Sequence, residues 1–402
     1  MDVALLFFIV GSIVLMGFLG DIVYDKIKIP DVLMLLGIGI LLGPVFKMVD
    51  HRHLAEFAEY FGTFALIVIL FEGGMDIKIR MLLQEFGNAT ILVAISFVST
   101  TSALTAFLMY VHSWELLPSL LMATVLGCTS SAIVLPVLAK MSLKDETKTV
   151  LYIESAMSDV LAVVLAISLI EFVKLESIGI EKPLRAIASS FSIAIVIGTA
   201  FGFFWYKMLN LIAGRKYSYM VTLGVMLIVV AAVDYLGGSG PVAVLIFGII
   251  LGNCGDIPFL QASSQCNMID ETIKFFHGEV TFFIRTFFFV YMGMMITSKV
   301  LAPRIMAVSL ALLCIIVIMR YMSVELMIRR SGKGKEERNA FFYMLPRGLA
   351  TAVLASLPMA AGVEGSEDFI VYAVSVIILT NIVMTLGVLN MERKPIIHEK
   401  QT

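Results

Sequence analysis

Two stretches decide how this chain folds: GCTSSAIVLP (127–136) and MLPRGLATAV (344–353). Each lies near the middle of an apolar run long enough to cross a bilayer. Gly127 and Pro136 bracket the first interruption, and Pro346 and Gly348 bracket the second. Proline removes a backbone donor and glycine weakens a helix. In hydrocarbon, irregular backbone is tolerated only where it is buried in protein or lines a cavity. The pair therefore predicts two broken membrane helices with a site where the breaks meet.

The rest of the chain fits that frame. Of 402 residues, 59% are hydrophobic and 15% charged, against about 25% charged in soluble domains. A run of about 20 apolar residues spans a bilayer, and thirteen such runs can be marked along the chain. The expected fold is an all-α polytopic membrane protein of about 13 transmembrane helices. It reads as a single transporter domain over 1–402, with a short cytoplasmic tail at 391–402. The first run starts at residue 3 without a basic leader, so it reads as a retained helix. The net charge of −2 and the lack of a basic tail give no sign of nucleic-acid binding. Cys128, Cys254, Cys266 and Cys314 lack metal-ligand spacing and outline no disulfide framework. No cofactor is implied.

Basic residues orient the chain. With the N-terminus outside, 19 of the 29 Lys and Arg fall in cytoplasmic segments and 7 outside. The other three, Arg285, Arg320 and Arg347, lie within apolar spans. The C-terminus is then cytoplasmic.

A repeat is visible as well. LLGIGILLGPVF (35–46) and VLIFGIILGNCG (244–255) share glycines and branched aliphatics seven spans apart. The two interrupted spans keep the same offset. An odd offset inverts the second copy, which gives repeat one at about 3–172, a linking helix at about 184–212 and repeat two at about 218–390. Inverted repeats with paired broken helices point to a secondary transporter.

Charges inside membrane spans are costly and usually functional. The richest segment is ESAMSDVLAVVLAISL (154–169). Positions four apart share a helix face, so Ser155 stacks with Asp159 and Glu154 with Ser158. Glu154 is turned about 140° from Asp159, so the two acids can serve different ends. Arg347, beside a helix break, is the expected partner of Glu154. Arg320 reads as a packing arginine, and Glu171 and Glu325 as residues that reach the headgroups. Asp159 is left without a cationic partner. Such a carboxylate can hold a proton or a metal cation in turn, which is what an exchanger requires. The structural alternative is a carboxylate bonded to a serine or a backbone amide. Thr129, Ser130 and Ser131 are candidate oxygen ligands beside Asp159 and Ser155. Glu72 ends FALIVILFEGGM (64–75) and is either a third carboxylate at the site or an interfacial residue.

These residues carry a resemblance. FALIVILFEGGMDI (64–77), ESAMSD (154–159), LGGSGPVAVLIFGIILG (236–252), GEVTFFIRTFFFVYMG (278–293) and PRGLATAVL (346–354), in that order and spacing, resemble the monovalent cation/proton antiporters of the NhaP/NHE type. The resemblance covers essentially all thirteen spans. It implies two inverted six-helix repeats with two crossing unwound helices, the NhaA-like antiporter fold. It implies a plasma-membrane homodimer that exchanges Na+ (also Li+) for H+ in pH homeostasis, by an elevator-type movement of a six-helix core. Asp159 would bind cation and proton alternately, with Ser155, Thr129, Ser130, Glu72 and Ser158 around it. Na+ or K+ would sit at Asp159, Ser155 and Thr129, and Glu154–Arg347 would be a structural pair.

There are departures. That branch usually has Asn where this chain has Ser158, and Thr-Asp-Pro where it has Thr129-Ser130-Ser131. SSAIVL (130–135) is closer to glutathione-gated potassium-efflux relatives. A K+/H+ antiporter or K+ efflux pathway of that type is therefore the alternative. The nucleotide-binding domain of many such relatives is not expected, since the chain ends soon after the last span. No carboxylate directly precedes Asp159, so a one-for-one, electroneutral exchange is expected. An enzyme is not. Gly237-Gly238-Ser239-Gly240 contains G-x-S-G, but a serine nucleophile needs a base in reach, and no histidine lies mid-span in the later spans.

Overall fold

A backbone without water must satisfy its polar groups internally, which in a single apolar run means a helix. The chain follows that rule: among the described residues every regular element is helical. The computed structural model describes residues 7, 10–20, 31–46, 51–77, 79–80, 88–141, 143–174, 181–212, 218–254, 266–295, 302–331, 335–363 and 365–392.

The helices in order are α1 (Val10–Gly20), α2 (Asp31–Ile40) and α3 (His51–Asp76). Then come α4 (Asn88–Tyr110), α5 (Leu116–Gly127), α6 (Ser131–Lys140) and α7 (Asp145–Lys174). α8 (Glu181–Ile212), α9 (Ser218–Tyr235), α10 (Gly240–Gly252) and α11 (Cys266–Met295) follow. The last are α12 (Pro303–Ser331), α13 (Lys335–Tyr343), α14 (Leu349–Ala360) and α15 (Phe369–Glu392). Six helical stretches have the length and hydropathy to cross a bilayer, with shorter apolar helices among them. Both expected interruptions are present: α5 stops at Gly127 before α6 starts at Ser131, and α13 stops at Tyr343 before α14 starts at Leu349.

The helices pack in two sets. One contains α2, α3, α8, α9, α10 and α11; the other contains α4 to α7 and α12 to α15. α3 and α11 of the first set face α7 and α14 of the second. Without a hydrophobic driving force between helices in lipid, close backbone approach supplies the packing. Glycines make it possible at two crossings. A side chain at Gly39 or Gly43 would strike the α11 backbone at Val290, Gly293 and Met294. One at Gly248 or Gly252 would strike the α3 backbone at Phe71 and Met75. These are the glycines that the two similar stretches share. Just past α2, Pro44 lies in a π-helical turn, Leu41–Val45.

Local chemistry explains the ends. Asp234 accepts a hydrogen bond from the Gly240 amide at 2.8 Å, so this mid-chain acid caps the start of α10. Gly237 has φ 74° in the turn that joins α9 to α10. The G-x-S-G match is therefore a turn, and the Ser239 hydroxyl has no hydrogen-bond partner. Asn253 closes the other end of α10. Its amide donates to Ile77 O at 2.6 Å and Ile249 O at 2.7 Å, and its oxygen accepts from Ile79 N at 2.7 Å. Cys254 next to it is disulfide-bonded, which the cysteine spacing did not indicate.

Candidate functional site

The site forms where the two breaks cross. The Ser130 amide donates to Pro346 O at 2.9 Å. Gly348 is forced by the same approach, because a side chain there would strike Ser130 Oγ. Each break leaves helix ends inside the protein, and helix ends carry unsatisfied amides or carbonyls with partial charge.

The two ends attract opposite groups. Asp159, on α7, lies at the N-terminus of α6. Its Oδ2 accepts from the Ser131 amide at 2.9 Å and the Ser131 hydroxyl at 2.7 Å. Its Oδ1 is buried with no hydrogen-bond partner. The Cys128 thiol is close enough to interact with this carboxyl, but a thiol is a weak donor and Cys128 is itself engaged with Val125 O and Thr351. Arg347 lies at the opposite kind of end. Its guanidinium donates to Leu126 O at 2.8 Å, Leu345 O at 2.8 Å and Gly127 O at 3.5 Å. Leu126 and Gly127 are the last carbonyls of α5. The Arg347 backbone is held by α15, through Thr380 Oγ1 at 3.1 Å and Asn381 Nδ2 at 2.9 Å.

The expected Glu154–Arg347 pair is therefore corrected. Glu154 pairs with Arg320 of α12, by two bonds of 2.7 and 3.1 Å. Both side chains are almost fully buried, at 1% and 3% exposure. Arg320 also donates from Nε to Phe341 O at 2.8 Å, so it is an ion-pair partner rather than a packing arginine. The physical reason is the break itself. Arg347 finds orphan carbonyls there, whereas Arg320 sits in an unbroken helix whose own carbonyls are used. A buried guanidinium in such a helix requires a counter-charge, and Glu154 supplies it.

A cavity of about 230 Å³ opens beside Asp159. It is walled by α3 and α11 on one side and by α6, α7, α14 and Ser130 on the other. Of the expected site residues, Asp159, Ser130 and Glu72 line it. Thr129, Ser155 and Ser158 do not line it; they are buried nearby and bonded elsewhere. The Thr129 amide donates to Ser158 Oγ at 3.0 Å and its hydroxyl lies 3.4 Å from Glu154 Oε1. Ser158 Oγ in turn reaches Ser155 O and Thr129 O, and Ser155 Oγ donates to Tyr152 O at 3.0 Å. These hydroxyls fix the break rather than face the cavity. Ser131 was one of several candidate donors. As the first residue of α6 it has a free amide, and it is the direct partner of Asp159. Asp76 and Arg285 also line the cavity. Arg285, with a charge inside an apolar span, was visible as a candidate; Asp76 at the end of α3 was not.

Broken helices crossing beside an acid that lines a cavity, in a helical membrane bundle, define the class: a secondary transporter. The particular family follows from comparison with known proteins. The chain belongs to the sodium/hydrogen exchanger family, a family of transporters rather than enzymes; residues 10–390 match its transmembrane domain. It is similar to the K(+)/H(+) antiporter NhaP2 of Shewanella oneidensis, 28% identical over 393 residues covering 94% of this chain and 65% of that protein. It thus spans slightly less than two thirds of that relative. It is also similar to Na(+)/H(+) antiporter 1 of Methanocaldococcus jannaschii, 26% identical over 358 residues covering 86% of this chain and 81% of that one. The solved structure of the sodium proton antiporter MjNhaP1 from the same organism at pH 8 has the same fold. It superposes with a TM-score of 0.80 at 22% identity, covering 98% of this chain and 100% of that one.

Proposed function

We propose that this chain exchanges a monovalent cation for a proton, with Asp159 holding the two alternately. One observation carries the reading: Asp159 lines the cavity, has an unpartnered oxygen and forms no ion pair among the described residues. Ser131 engages only its other oxygen. A hard cation takes oxygen ligands, and three oxygen-bearing residues, Asp159, Ser130 and Glu72, line one cavity. Thr129, Ser155 and Ser158 hold the geometry of the break and stand one layer behind.

Na+ is the first choice of cation, in keeping with the family and the Methanocaldococcus relative. K+ is the second, favoured by the Shewanella relative and by the Thr129-Ser130-Ser131 break. With Asp159 as the single carboxylate that trades its proton for the cation, exchange is one for one and electroneutral. Membership of two helix sets separated by the cavity supports an elevator-type movement of the set carrying Asp159. The inverted repeat is supported by Gly39/Gly43 and Gly248/Gly252, which make equivalent crossings in the two copies. We place the transporter in the plasma membrane as a homodimer, N-terminus outside and C-terminus cytoplasmic. Asp76 and Gly278 then lie toward the cytoplasm, so the cavity faces inward.

The test uses liposomes loaded with a pH dye under an imposed sodium or potassium gradient. Cation-driven proton movement is expected in the parent and lost in Asp159→Asn. Proton movement with neither cation, from folded protein over a range of pH, would overturn the reading. An exchange equilibrium shifted by membrane potential would overturn electroneutrality.

A further inference from the structure

We propose that the Arg285–Asp31 pair sets the cation affinity of the cavity, with Asp31 acting as the counter-charge that keeps Arg285 from repelling the cation. This rests on the reading of Asp159 as the cation-binding group. Arg285 is the single cationic side chain lining the cavity among the described residues, together with Asp159, Glu72 and Asp76. An arginine on the wall of a cation's cavity needs an explanation. It stays charged at any physiological pH, so it cannot withdraw by losing a proton. Within a cavity walled by protein its charge acts on the cation with less screening than in bulk water.

The surroundings of Arg285 show how its field is held down. Its Nη2 lies 3.0 Å from Asp31 Oδ2, and the two side chains are only 17% and 16% exposed. Asp31 does not line the cavity. It stands behind the guanidinium at the first turn of α2, where its other oxygen accepts the Val32 amide at 2.9 Å. That bond fixes the carboxylate in place. The Arg285 Nε is buried and has no hydrogen-bond partner, so the guanidinium is held by one charge and is not saturated by carbonyls as Arg347 is. The cation in the cavity therefore meets a dipole rather than a bare positive charge.

The sign of the effect separates this role from a merely structural one. Breaking the pair from either side removes the same link between α2 and α11, but changes the cavity charge in opposite directions. Asp31→Asn uncovers Arg285 and is expected to raise the apparent KM for the transported cation by about three- to ten-fold. Arg285→Gln removes the positive charge and is expected to lower it by a similar factor. The double variant is expected to return toward the parent, and Arg285→Lys to lie nearer the parent than Arg285→Gln does.

The measurement is dye-reported exchange in liposomes with sodium chloride and, separately, potassium chloride, giving KM and maximal rate for each folded variant. KM shifts in the same direction for Asp31→Asn and Arg285→Gln, or a shift in maximal rate alone, would overturn the proposal. If Asp31→Asn does not fold, the Lys and Gln variants at position 285 decide it: equal KM shifts would show that charge is not the cause. Exchange persisting in Asp159→Asn would instead overturn the functional reading beneath it.

Discussion

Glu154 and Asp159 are five residues apart on one helix, and their surroundings differ in kind. Glu154 is closed in, with both oxygens bonded to Arg320 and Thr129 beside them. Asp159 is held on one oxygen by Ser131, is left without a hydrogen-bond partner on the other, and lines a cavity. The first arrangement is static: both oxygens are committed to a buried ion pair. The second leaves room for an ion to come and go. The difference arises from helix geometry. A five-residue step turns one acid toward α12 and the other toward the break.

The comparison can be broken most strongly at Glu154. Removing one member of a buried, hydrogen-bonded pair costs about 3–5 kcal/mol. Arg320→Met or Glu154→Gln should therefore lower the melting temperature in detergent sharply. The double variant should lose less than the sum of the two, because neither charge is left alone. Asp159→Asn should leave the melting temperature nearly unchanged while abolishing exchange. A large loss of stability in Asp159→Asn with little change in Arg320→Met would reverse the assignment of roles.

Arg347 supplies the next test. Arg347→Met strands the Leu126 and Leu345 carbonyls, at about 1–3 kcal/mol for each unsatisfied buried group. With two such groups the expected destabilisation is about 2–6 kcal/mol, comparable to that at Arg320. A coupling of Arg347 to Glu154 in a double-variant cycle as large as that of Arg320 would contradict the pairing described here. The effect of Ser131→Ala is smaller. It removes the hydroxyl bond to Asp159 and leaves the amide bond. A hydrogen bond to a charged group is worth about 1.5–3 kcal/mol, of which part is retained, so a rise of roughly three- to ten-fold in the apparent KM for the cation is expected at neutral pH. No change in KM would show that Ser131 does not act on the site.

The smallest effect sharpens the comparison by removing a confounder. His112 lies in the turn between α4 and α5, where its Nε2 is 3.0 Å from the Tyr372 hydroxyl. Burial first, and the Arg304 charge second, hold its pKa below the ordinary 6.5. The unfolded chain then takes up a proton that the folded chain does not. Stability is full above about pH 6.5 and falls as the pH drops toward the folded value. His112→Phe should flatten that part of a melting-temperature profile without altering the dependence of exchange on Asp159. An unchanged profile would assign the acid sensitivity elsewhere.

Much of this was legible in the residues. Pro346, Gly348, Gly127 and the serines between them mark both breaks, because proline and glycine act locally. Asp159 stands out because an acid inside an apolar run is costly wherever the run packs. The partner of Glu154 was not legible, since it lies 166 positions away and depends on how α12 packs on α7. One signal was present. Arg320 sits mid-span, beyond snorkelling reach, so it needed a buried acid, and Glu154 was available. Arg347 misled for the opposite reason: near a break, carbonyls can satisfy an arginine without any acid. The hydroxyls of Thr129, Ser155 and Ser158 have the right chemistry for a cation, but their direction is set by rotamers and by the path of the break.

The most direct test of the account is proton release on cation binding. Purified protein in detergent and weak buffer is given sodium or potassium, and the released protons are counted per protomer. The account predicts one proton released by the parent, none by Asp159→Asn, and the parent's value in a folded Arg347→Met variant. Cation binding without proton release, or release that persists in Asp159→Asn, would contradict it.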